Sequence, residues 1–116
     1  MSSSKEYLVF ILEQLREISV ITFRPMMGEF LLYKDGILFG GIYDDRFLIK
    51  ITKSNEKYNL PKEIPYENAK PMYIVENIDD MTYLADLVTT TCSDLSKQKK
   101  TWLFLLIIFY KIKNSR

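Results

Sequence analysis

Apolar residues at Tyr7, Phe10, Ile11, Leu15 and Ile18 recur at the spacing of one helical face, which predicts an amphipathic helix near the start of the chain. Ser3 and Glu6 have the capping-box spacing, in which each side chain satisfies a backbone donor left free at a helix start. The run Tyr7–Leu12 does not read as part of a signal peptide, because Glu6 and Glu13 close it on both sides and no small-residue cleavage site follows.

From Val20 to Thr52 the pattern changes to short β-rich runs divided by turn residues. Phe30–Tyr33, Ile37–Tyr43 and Phe47–Ile51 read as the strands of a three-stranded meander. Asp35-Gly36 joins the first two, since hairpin turns that match strand twist need positive φ, which Gly adopts freely and Asp tolerates. Asp44-Asp45 makes the second tight connection. Lys53–Asn59 is a short polar helix or turn ended by Pro61, and Pro65 with Ala69-Lys70-Pro71 marks a loop entering a strand at Met72–Glu76. Asp79 or Asp80 then caps a helix through about Leu95, with Met81, Leu84, Leu87, Val88, Thr91 and Leu95 on one face.

This order predicts an α+β fold, α-β(3)-α-β(2)-α, with the long helices burying their stripes against one face of an antiparallel sheet. Tyr33, Phe39, Tyr43, Phe47, Ile49 and Tyr73 alternate over the strands, more apolar positions than two helices need cover. Function and self-association, as a homodimer, are therefore expected on the other sheet face or its edge.

The chain has 116 residues and ordinary globular composition, 47% hydrophobic and 27% charged, so disordered and low-complexity readings fall away. Its net charge of +1 hides an asymmetry, because residues 97–116 hold six basic residues and no acid while residues 1–96 are acidic. An acidic body argues against direct nucleic-acid binding, which draws affinity from neutralised phosphates. The division is therefore a body at 1–96 and a basic, apolar tail at 97–116. Within the tail, Trp102–Tyr110 is far shorter than the ~20 apolar residues that span a bilayer as a helix. It is expected to pack on the domain or on a second copy, with a membrane-surface anchor as the alternative.

With no histidine, the commonest metal ligand and the commonest general base are missing, and a lone Cys92 cannot form a disulfide within the chain. These features imply no metal or cofactor, no enzyme activity, and a reducing, cytoplasmic compartment. Asp44-Asp45 reads as turn residues, Cys92 as a small apolar residue, and Gly40-Gly41 as a bulge or close backbone approach.

Arg24-Pro25-Met26-Met27-Gly28-Glu29-Phe30, Tyr33-Lys-Asp35-Gly36-Ile-Leu-Phe39, Asp44-Asp45-Arg-Phe-Leu-Ile-Lys50, and Pro65-Tyr66 with Ala69-Lys70-Pro71-Met72-Tyr73 together resemble the N-terminal domain of the TfoX/Sxy family, over about Lys5 to Leu95. The resemblance implies a secretion-chaperone-like fold, bacterial cytoplasm, and a stand-alone regulatory module acting through protein partners. It marks Arg24, Met27, Tyr33, Lys50 and Lys70 as binding positions and Gly28, Gly36 and Pro71 as structural ones. Alternatively, Arg24, Lys50 and Lys70 gather the carboxylate or phosphate of a small ligand, in a binding domain or an enzyme, unless each pairs with a surface acid such as Glu29 or Asp44. The apolar tail departs from the family pattern, as a shifted reading frame at the C-terminus would make it do.

Overall fold

The computed structural model describes residues 2–18 and 20–114. Helix α1 covers Lys5–Gln14 and is capped by Ser4, whose Oγ accepts from the Tyr7 N–H at 3.1 Å. The expected cap, Ser3, is occupied elsewhere: its Oγ donates to Glu29 Oε1 at 2.8 Å and accepts from the Asp45 N–H at 3.0 Å, tying the N-terminus to two hairpin tips.

The meander has four strands rather than three: β1 (Ile21–Met26), β2 (Glu29–Lys34), β3 (Ile37–Tyr43) and β4 (Arg46–Ile49), joined antiparallel in sequence. Its three tight turns carry Met27-Gly28, Asp35-Gly36 and Asp44-Asp45, all at positive φ, the conformation that matches the right-handed twist of flanking strands. A 3-10 turn at Ser54–Tyr58 follows, then β5 (Lys62–Glu63), β6 (Met72–Ile74) and the long helix α2 (Met81–Asn114). All pairings are antiparallel in the order β1-β2-β3-β4-β6-β5, an α+β fold.

Both helices lie on one face. Leu8 and Ile11 of α1, Leu15 at its C-cap, and Leu84, Leu87, Val88 and Cys92 of α2 share a core with Phe39, Phe47, Ile49 and Tyr73 of the sheet. Those four sheet residues are thus not surplus, and of the six alternating residues only Tyr33 and Tyr43 turn away from the helices. The second face carries a smaller cluster of Tyr43, Leu48 and Ile74, flanked by Met26, Leu31 and Met72. A Cβ on Gly40 would sit 2.3 Å from the Leu48 carbonyl oxygen, and one on Gly41 would sit 2.7 Å from that of Phe30, so both glycines answer to neighbouring backbone.

The sheet edges are poorly suited to pairing with another chain. The Asp35 N–H donates to the Val20 carbonyl, which sets the hydrogen-bonding parity of β1 and turns the backbone of Pro25 outward, where proline has no N–H to offer. At the other edge β5 is two charged residues long.

Asn55, fully buried, locks the 3-10 turn to α2. Its Oδ1 accepts from the Thr52 N–H at 2.8 Å, and its Nδ2 donates to the Lys50 carbonyl and to Thr91 Oγ1, each at 2.9 Å. Asp80 caps α2 by accepting from the Tyr83 N–H at 3.0 Å. The helix does not stop near Leu95 but runs unbroken for 34 residues, and from Lys97 onward its described residues are exposed on every side. The apolar run therefore does not pack back on its own domain. Among the described residues no helix is long and apolar enough to cross a membrane.

Candidate functional cleft on the second sheet face

The segment between β5 and β6 lies against the sheet face away from the helices. Arg46, at the start of β4, holds it there: its guanidinium donates to Glu63 Oε1 at 2.6 Å and to the carbonyls of Ile64 and Pro65 at 3.3 and 3.2 Å, and its Nε donates to the Tyr43 carbonyl at 3.1 Å. One arginine thus fastens three successive residues, a task suited to a planar fork of donors. Pro65 is buried, and the Tyr66 ring packs 6.2 Å from that of Tyr43.

Between this segment and the strands lies an open cleft of about 780 Å³. Met26, Leu31, Tyr43 and Met72 line it from the sheet, Pro65, Tyr66 and Pro71 from the overlying segment, and Leu95 and Gln98 from α2. Burial, with the neighbouring Tyr66 phenol second, raises the pKa of Tyr43 above the usual tyrosine value, so its hydroxyl stays neutral in the physiological range.

Lys50 and Lys70 both line this cleft. Register puts them at one end of the sheet. Ile49 pairs with Tyr73, so Lys50, one residue beyond β4, lies at the same sheet end as Pro71 and Lys70, which lead into β6. The Asn55 bond to the Lys50 carbonyl fixes that corner from below. Among the described residues neither lysine has an ion-pair partner. The acids considered as partners have other work: Glu29 accepts from Ser3 and from the Asp44 N–H at 2.8 Å, and Asp44 is a turn residue. Two cations beside an apolar wall can hold the acidic group of a ligand while its apolar body covers Met26, Leu31 and Met72.

The remaining expected positions do not join them. Arg24 lies on the edge strand β1, with its guanidinium carbon 5.9 Å from the centroid of the Tyr33 ring, a cation–π contact on the same sheet face but outside the cleft lining. Met27 sits in the β1–β2 turn, 96% exposed. Gly28 and Gly36 occupy positive-φ turn positions, the first also crowded by Ser2, whose Cβ would lie 2.9 Å from an added Cβ. Pro71 immediately precedes β6.

Sequence reasoning missed Arg46 and Asn55. Arg46 follows two turn aspartates and reads as loop, and Asn55 lies in a polar stretch that reads as solvated. The partners that give each its role, Glu63 to Pro65 for Arg46 and Thr91 for Asn55, lie 17 to 36 residues away, so neither position carries a local signal for it.

No family model matches the chain. It is similar to a chain from Spirochaeta aurantia named "Uncharacterized 12.7 kDa protein in trpE 5'region", with 26% identity over 102 residues, covering 85% of this chain and 89% of that protein.

Proposed function

We propose that this protein is a non-enzymatic, cytoplasmic binding domain whose cleft takes a small organic acid with an apolar body, its carboxylate or phosphate held by Lys50 and Lys70. The observation that carries this reading is the pairing of two cations without acidic partners with an apolar cleft of small-molecule size. The test is thermal unfolding of the full chain with octanoate and with octanol. At ten times its Kd, octanoate raises stability by about 1.4 kcal/mol and Tm by about 6 °C, while octanol at the same concentration does much less. In the double variant Lys50→Gln/Lys70→Gln the octanoate shift disappears while Tm without ligand changes little. Equal shifts in both proteins would refute the assignment.

A second reading is a regulatory module acting through protein contacts, as the TfoX/Sxy resemblance implies. Met27 favours it, since a methionine 96% exposed at a hairpin tip offers an apolar contact to a partner. Its test is co-purification of a single stoichiometric partner with the full chain, lost in Met27→Asp; retention of that partner by the variant would count against it.

A further inference from the structure

The distal half of α2 cannot be accounted for by the domain that carries it. From Trp102 to Tyr110 every side chain is apolar, none is buried, and Trp102, Phe104, Phe109 and Tyr110 are each more than 60% exposed. A helix that is apolar all round is not a solvent-facing one and needs apolar surroundings that the domain does not supply.

Charge narrows the choice. Lys97, Lys99 and Lys100 precede the run, Lys111 and Lys113 follow it, and no acid occurs after Asp94. Pairing of two such tails, parallel or antiparallel, would set lysine against lysine at both ends. An anionic surface complements both ends at once.

We infer that residues 97–114 form a membrane-surface helix for anionic phospholipid bilayers. At a rise of about 1.5 Å per residue, the apolar run is about 14 Å long, half of a hydrocarbon core, so the helix lies along the interface. Apolar side chains enter the acyl region below it, and those on its upper side sit among the headgroup carbons. The lysines at each end extend to lipid phosphates, and Trp102 and Tyr110 occupy the level that aromatic residues favour. The folded domain remains in water, joined to the surface by the unbroken helix through Leu95.

Trp102 is the only tryptophan and lies in the run, so the native chain carries its own reporter. The full chain is titrated with vesicles of phosphatidylcholine alone and of phosphatidylcholine mixed with phosphatidylglycerol. The expected result is a blue shift of Trp102 emission, with quenching by brominated acyl chains, on the mixed vesicles and much less on the neutral ones. Replacing Lys97, Lys99 and Lys100 with glutamine weakens partitioning roughly 100-fold, and Ile107→Glu also weakens it, with the circular dichroism of the domain preserved. Two results would overturn the inference. One is Trp102 emission unchanged by either vesicle. The other is emission already blue-shifted in vesicle-free buffer with a dimer mass in sedimentation, which would assign the helix to a second copy of the chain.

Discussion

Asn55→Ala tests how the cleft's cationic corner is built. The side chain makes three hydrogen bonds, to the Thr52 N–H, the Lys50 carbonyl and Thr91 Oγ1, all between 2.8 and 2.9 Å, and the residue has no solvent exposure. Thr91 Oγ1 also donates to the Leu87 carbonyl at 2.9 Å, so the network crosses from the 3-10 turn into the core face of α2. At about 1 kcal/mol net per bond the direct loss is about 3 kcal/mol, and the buried Thr52 amide left without a partner makes that a lower figure. With an m-value of about 1.5 kcal/mol/M, the urea midpoint falls by about 2 M at unchanged slope, and Tm falls by more than about 10 °C. Equilibrium urea unfolding followed by far-ultraviolet circular dichroism reads this directly, with the exposed Glu56→Ala in the same turn expected within about 0.5 kcal/mol of the parent. A loss below about 1 kcal/mol for Asn55→Ala would refute the view that this network holds the turn against α2.

Gly40→Ala sets a Cβ 2.3 Å from the Leu48 carbonyl oxygen and should cost about 3 kcal/mol, whereas Gly36→Ala, at φ +82° with nothing within 4 Å, should cost about 1 kcal/mol; denaturant midpoints that rank them the other way would contradict the assigned register. Burial, the largest effect on Cys92, pushes its thiol up to about 11 from the ordinary 9.0, so the native protein should react with a disulfide reagent at pH 8 far more slowly than the urea-unfolded chain. Because the folded-state value is the raised one, the stability tied to this thiol is full below pH 9 and is lost as pH rises from 9 toward 11; a stability curve that climbs across that window would contradict the burial.

How much of this was legible in the chain differs by element. The core stripe of α2 and the Asp35-Gly36 and Asp44-Asp45 turns could be read locally, because period and turn chemistry are local, whereas the buried face of α1 departs in part from the expected one: Phe10 is exposed and Leu8 is buried in its place. Strand β1 could not. It is an edge strand whose four central residues are exposed, with Pro25 inside it, so it lacks both alternation and strand composition. The α1 cap fell one residue off because Ser3 is taken by Glu29 and Asp45, contacts that span 26 and 42 residues. For the site, the list of cations was legible and their grouping was not. Lys50 and Lys70 line one cleft because β6 inserts beside β4, while Arg24 is held out by two intervening strands, and only strand order decides that.

Methyl NMR of the full chain, labelled at methionine and titrated with octanoate, shows whether the cleft receives an apolar-bodied acid. Met26 and Met72 line the cleft, while Met27 at the exposed hairpin tip and Met81 at the start of α2 lie outside it and serve as internal controls. A cleft that takes such an acid gives saturable shifts of the Met26 and Met72 resonances, abolished in Lys50→Gln/Lys70→Gln, with Met27 and Met81 unmoved. Shifts absent from Met26 and Met72, or spread equally over all four, would contradict it.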